Sequence, residues 1–103
     1  MLSITPIDLE EIEGEEKDQQ ILRLAMISEL DAINLYEQMA DNTEDERVKK
    51  ILEEITDDER RHFGQLQVLL MMIDDDMLDG LQKGKNEVDK LLADAEQKLK
   101  ESM

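Results

Sequence analysis

Three side chains of metal-binding type stand out in this sequence because of their spacing. Glu59 and His62 form a Glu-x-x-His pair, which places a carboxylate and the chain's one imidazole on the same side of a helix. Glu29 lies well before them, in a separate apolar stretch. Two-metal carboxylate centres in helical bundles use one glutamate from each of two helices and a Glu-x-x-His from each of the other two. The chain therefore carries half of the donors that such a centre requires.

Apolar residues surround these side chains at helical spacing. Those around Glu29 lie 7, 4 and 3 positions before it and 3, 4, 7 and 11 positions after it, offsets that share one side of a helix. They are Leu22, Ala25, Met26, Ala32, Ile33, Tyr36 and Ala40. The stripe that contains Glu59 and His62 consists of Val48, Ile51, Leu52, Ile55, Leu66, Leu69, Leu70 and Ile73. We therefore expect all three ligand-type side chains in helix–helix interfaces.

The sequence predicts an all-α fold, an antiparallel two-helix hairpin plus a C-terminal helix. Its segments are an N-terminal arm (1–14), a metal-binding helical hairpin (15–73), and a linker with a C-terminal amphipathic helix (74–103). The first hairpin helix should run from about Glu15 to Ala40. The second should end near Ile73, where a run of aspartates opposes the helix dipole. The arm should hold a short helix over residues 5–13, marked by a Thr-Pro start.

A short polar turn should bring the ligand-type residues to the same height. Residues 41–43 form the predicted turn, and Thr43 with Glu46 matches a capping box for the second helix. Glu29 lies about 14 residues before this turn and Glu59 about 16 residues after it. In an antiparallel hairpin these positions agree to within one helical turn.

The last part of the chain is predicted to be less regular at its start. Gly80 and Gly84 indicate a loose connection after the hairpin. The third helix should span Asn86 to Lys100, with one apolar face.

Counting charges predicts how many chains share the site. Two chains supply two copies each of Glu29, Glu59 and His62, so four negative charges face two divalent ions. Burying these carboxylates without a cation would be costly. Carboxylate and imidazole donors with open positions suit iron, with manganese, zinc or calcium as substitutes. We therefore expect a homodimer that closes a four-helix bundle around two metal ions.

Composition argues against several other classes of function. The net charge of −16 is unsuited to nucleic acid or anionic membrane surfaces, which require basic patches. The absence of cysteine removes disulfides and thiolate metal sites. No apolar run is long enough to cross a membrane, and the start lacks the basic and apolar regions of a signal peptide. The sequence is therefore expected to be cytoplasmic.

The segments around the three ligand-type residues also resemble a known family. Glu29-Leu30-Asp31-Ala32 with Tyr36, and Asp58-Glu59-Arg60-Arg61-His62, closely resemble the encapsulated ferritins, short ferritin-like proteins related to half of a rubrerythrin or ferritin bundle. The resemblance covers residues 20 to 73.

This resemblance implies a function and an assembly. Glu29, Glu59 and His62 would be ligands of a ferroxidase centre between two subunits, and dimers would assemble into a decamer of five. The protein would oxidise Fe(II) with dioxygen for iron storage and detoxification, as cargo of an encapsulin nanocompartment that holds the ferric mineral. Asp31 stands where the family has an outer, metal-attracting glutamate. The last residues, 95–103, lack the family's apolar-Gly docking tail.

The residues alone leave other interpretations open. A rubrerythrin-type di-metal peroxidase would use the same ligands, but it needs an electron donor, for which this chain has no cysteine. A non-enzymatic acidic scaffold would bury Glu29, Glu59 and His62 as a hydrogen-bonded triad. Tyr36 lies two turns from Glu29 on the same face, so its hydroxyl could approach the ligands or be bonded locally in the core.

Overall fold

The computed structural model describes Glu10 and residues 13–103, which form three helices and no strand. They are α1 (Gly14–Asn42), α2 (Glu46–Ile73) and α3 (Asp75–Glu101). The all-α prediction is confirmed, and α1 and α2 form the predicted hairpin. The short helix predicted over residues 5–13 lies almost entirely outside the described residues. The chain divides into two compact units, the first ending at Ile73 and the second beginning at Asp74.

Helix α1 begins and ends close to the predicted residues. It starts at Gly14, whose φ of 68° lies in the left-handed region that glycine adopts readily. Glu15 and Glu16 in the first turn complement the positive end of the helix dipole. At the other end the Thr43 N–H donates to the Met39 carbonyl at 3.2 Å, which satisfies one of the last free acceptors.

Helix α2 is capped by Asp45, and the predicted Thr43–Glu46 capping box is wrong. The Asp45 carboxylate accepts the backbone N–H of Arg47 at 2.8 Å and of Val48 at 3.4 Å. Thr43 Oγ1 instead accepts the N–H of Asp45 at 3.2 Å. Asp45 directly precedes the helix, where a short carboxylate reaches these N–H groups best. Hydrogen bonds from the Arg47 side chain and then from the backbone hold the pKa of Asp45 below its usual value.

The core between α1 and α2 is small, because few residues of the two helices are buried. Ala40, Thr56 and Leu70 are the described residues of the hairpin that are buried, and Leu70 is fully buried. The hydroxyl of Thr56 donates to the Leu52 carbonyl at 2.8 Å, so this buried polar group is satisfied. Burial of one leucine side chain contributes about 1.5–3 kcal/mol. Such a thin core leaves the hairpin dependent on further contacts for its geometry.

Helix α3 is continuous where a loose connection was predicted around Gly80 and Gly84. Asp74 caps it, because its side chain accepts the Met77 N–H at 3.1 Å. The aspartates that were expected to end the second helix thus begin the third, where their charge is favourable. Ion pairs four residues apart, such as Lys83–Asp79 at 2.8 Å, help to offset the cost of the two glycines.

None of the described helices is both long enough and apolar enough to cross a membrane.

Replacing Gly80 by alanine should raise the free energy of unfolding by about 0.5–1 kcal/mol, because alanine loses less entropy in a helix. Beyond the neighbouring residues and the backbone of its own helix, no atom lies within 4 Å of the position that its Cβ would take. Thermal unfolding followed by circular dichroism measures the change. Gly14→Ala is the matched control and should be destabilising, since Gly14 has a positive φ. A destabilised Gly80→Ala variant would contradict the prediction.

Candidate metal centre

The hairpin brings the three predicted ligands together. His62 Nδ1 lies 3.9 Å from Glu29 Oε2 and 3.8 Å from Glu59 Oε2. One donor atom from each residue lies within 4.8 Å of the other two, and this is the one such group of His, Cys, Asp and Glu among the described residues. Glu59 and His62 meet because they are one helical turn apart on α2, and Glu29 meets them from α1 across the hairpin.

These distances are too long for hydrogen bonds and suit a shared ion. A separation of 3.8–3.9 Å between His62 Nδ1 and either carboxylate oxygen exceeds the range in which a hydrogen bond forms. Two donor atoms that each lie about 2.1 Å from one metal ion are roughly 3–4 Å apart. The cluster therefore lacks the bonds of a hydrogen-bonded triad, and its donor atoms are close enough together to hold a metal ion.

Glu29 carries the clearest sign of an unmet interaction. Its Oε2 is buried and has no hydrogen-bond partner within the described chain. The side chains of Glu29 and Glu59 are 22% and 21% exposed, so both carboxylates have lost much of their hydration. An unpaired buried acceptor of this kind costs about 1–3 kcal/mol, and more when it is charged. A cation held between the three residues would remove that cost.

The cluster is open on one side, where His62 is 43% exposed. Helical spacing places exposed apolar residues on this same side of the hairpin. We call this surface the open face; it consists of Ile21, Leu35 and Met39 on α1 and Val48, Ile51 and Leu69 on α2. Val48, His62 and Leu69 repeat at multiples of seven residues, as in helices that pack side by side in bundles. One chain thus leaves three donors beside an uncovered apolar surface.

The other two predicted site residues, Asp31 and Tyr36, are not part of the three-residue cluster. Asp31 is half-buried. It follows Glu29 by two residues, which places it about 200° away around α1, on the side opposite Glu29. Tyr36 is half-buried on α1. The predicted roles of Asp31 as an outer uptake site and of Tyr36 beside the ligands stay predictions.

Sequence reasoning missed Arg60, which directly follows the ligand-type Glu59. Its guanidinium donates to Glu37 on α1 and, at 2.8 Å, to Asp57 on its own helix. An exposed arginine on a charged helix gives no periodic signal that would identify its partner in another helix. The contact became visible only once α1 and α2 were placed side by side.

The chain is similar to proteins of encapsulin systems. It is 46% identical over 93 residues to the ferritin-like–encapsulin shell fusion protein of Pyrococcus furiosus, a match that covers 88% of this chain and 27% of that protein. It is 42% identical over 53 residues to the encapsulin nanocompartment cargo protein EncC of Myxococcus xanthus, covering 52% of this chain and 41% of the relative. The chain thus spans less than half the length of either protein.

A solved structure and a family model agree with these matches. The crystal structure of the encapsulated ferritin domain from Pyrococcus furiosus matches with a TM-score of 0.75 and 45% identity, over 88% of this chain and 95% of that one. This likeness confirms the predicted ferritin-like helical fold and the resemblance to encapsulated ferritins. The rubrerythrin family model matches residues 20–101. The chain therefore belongs to the rubrerythrin family, in the ferritin-like superfamily.

Proposed function

We propose that two copies of this chain form a ferroxidase that oxidises Fe(II) to Fe(III) with dioxygen, for iron storage and detoxification. The observation that carries the proposal is the cluster of Glu29, Glu59 and His62, with its unpaired buried oxygen. Two Fe(II), one dioxygen and two protons give two Fe(III) and one hydrogen peroxide, so each iron supplies one electron. The protein contributes by holding the two irons close together and by favouring the higher charge of the ferric product with its carboxylates.

The charge of the site supports a dimer. Two chains supply six donors, of which the four carboxylates of Glu29 and Glu59 balance two divalent ions. Three donors from a single chain are too few for two ions, and the open face provides an apolar surface against which a second copy can pack. We infer that the two hairpins form a four-helix bundle with the site at their interface.

Membership of the rubrerythrin family and the mixed donor set favour iron as the metal. Manganese, zinc or calcium would bind as substitutes through the same oxygen and nitrogen atoms. Asp31, on the side of α1 opposite Glu29, would attract Fe(II) toward the site. Tyr36 would support the ligands from the same face of the helix.

The descriptions of the relatives suggest where the protein works. One relative is fused to an encapsulin shell and another is an encapsulin cargo protein. We propose that this chain acts inside an encapsulin nanocompartment in the cytoplasm, as a decamer of five dimers, and that the shell retains the ferric product.

Two other functions would involve the same three residues. A di-metal peroxidase would use the same ligands with an external reductant. A metal-free scaffold is disfavoured because Glu29, Glu59 and His62 are too far apart to satisfy one another by hydrogen bonds.

Metal should drive the chains to associate. Without a cation, four clustered carboxylates repel one another, whereas bound metal stabilises only the assembled form. Sedimentation at increasing Zn(II), with chelator as the reverse step, should show dimers or larger assemblies forming at least about tenfold more tightly with metal. Glu29→Gln should weaken this metal dependence. Stoichiometric metal binding by a chain that stays monomeric would contradict the coupling.

Removing one ligand should abolish oxidation while the fold is retained. Glu59→Gln is expected to lower the rate of oxygen-dependent Fe(II) oxidation by at least about 100-fold. Glu54→Gln is the matched control, since Glu54 is an exposed residue of the same helix that pairs with Lys50. Oxygen uptake and the absorbance of ferric product provide the two measurements. Equal rates of Fe(II) oxidation in both variants would contradict the proposed ferroxidase activity. Peroxide consumption without oxygen uptake would favour the peroxidase.

A further inference from the structure

We propose that Arg60 is a positioning residue for the candidate metal centre. Through its ion pair with Glu37, it holds α2 at the rotation that turns Glu59 and His62 toward Glu29. This inference rests on the proposed function, because it concerns the geometry of the same ligands.

A hydrogen bond within α2 orients the Arg60 side chain toward α1. One of its terminal nitrogens, Nη1, donates to Asp57 Oδ1 at 2.8 Å, one helical turn earlier on α2. The other, Nη2, donates to Glu37 Oε1 on α1. The planar guanidinium has donors in a fixed fork, so the bond to Asp57 restricts where the bond to Glu37 can form. The contact is therefore a directional link between the two helices.

Arg60 is well placed to control rotation of α2. It lies two residues before His62, about 200° away around the helix, so the link and the imidazole lie on nearly opposite sides of the axis. A rotation of about 10° would move a side-chain atom roughly 6 Å from the axis by about 1 Å. Functional sites require their groups to be held to within about 0.5 Å and 10–20°.

A second polar contact between α1 and α2 lies on the other side of the cluster. Toward the end of α2, Gln19 Nε2 donates to the Ile73 carbonyl at 3.0 Å. With a rise of 1.5 Å per residue, Glu29 lies about 15 Å beyond Gln19 and about 12 Å before Glu37 along α1. Apolar packing, which is not directional, would tolerate small rotations that these hydrogen bonds resist.

The ion pair should affect the site more than the overall stability. The side chains of Arg60 and Glu37 are 51% and 50% exposed. Exposed ion pairs contribute little to unfolding free energies. A loss of Arg60 should therefore appear in metal affinity and ligand geometry, with little change in the melting temperature.

Removing Arg60 should change the metal affinity in opposite directions, depending on whether its charge or its positioning contact matters more. The positive charge of Arg60 next to Glu59 disfavours a bound cation, so removing the charge alone should strengthen metal binding. Removing a positioning contact should weaken it. Arg61 gives the electrostatic baseline, because it carries the same charge on the next residue and pairs with Asp58 at 2.9 Å within α2.

The test compares Arg60→Gln, Arg60→Lys and Arg61→Gln in the full chain, with Zn(II) affinity by competition and the absorption spectrum of bound Co(II). Arg60→Gln should bind Zn(II) about threefold to tenfold more weakly and shift the Co(II) spectrum. Arg61→Gln should bind as wild type or more tightly. Arg60→Lys keeps the charge and one donor for Glu37 but loses the guanidinium fork, so it should recover part of the affinity.

Two results would overturn the positioning role of Arg60. The first is that Arg60→Gln binds Zn(II) with the same affinity as Arg61→Gln and leaves the Co(II) spectrum unchanged. The second is that Arg60→Lys fails to recover affinity. If Glu29→Gln binds Zn(II) as tightly as the wild-type protein, the proposed metal centre itself would be overturned.

Discussion

The Glu29 carboxylate, whose Oε2 is buried, is the constraint on which the rest of the site depends. Its Oε2 has no hydrogen-bond partner in the described chain, and its neighbours in the cluster are a second carboxylate and an imidazole. The carboxylate of Glu59 repels it, and His62 is too far away to donate a hydrogen bond. In the proposed metal centre, a shared cation would offset the burial cost and satisfy all three residues together.

The same constraint links metal binding to association. A half-site with three donors leaves coordination positions open, and the exposed apolar residues of the open face lie around it. Closing that face with a second copy buries apolar surface but also brings four carboxylates together. In the proposed dimer, bound metal would remove this repulsion, so burial and coordination would favour the same assembled state.

Periodicity predicted the parts of the structure that depend on repeated side-chain spacing. Glu29, Glu59 and His62 could be placed together because both apolar stripes and the short turn indicated a hairpin. The sequence did not predict that the segment around Gly80 and Gly84 is helical. Capping by Asp74 and ion pairs along the helix outweigh the weak helix propensity of glycine there.

The ion pair between Arg60 and Glu37 carries no periodic signal, so only the arrangement of α1 and α2 shows it.

The most direct test of a shared site is native mass spectrometry of the full chain with limiting Zn(II). We expect metal to appear in pairs on species with an even number of chains and to be absent from the monomer. A monomer that carries one tightly bound ion would contradict the shared site.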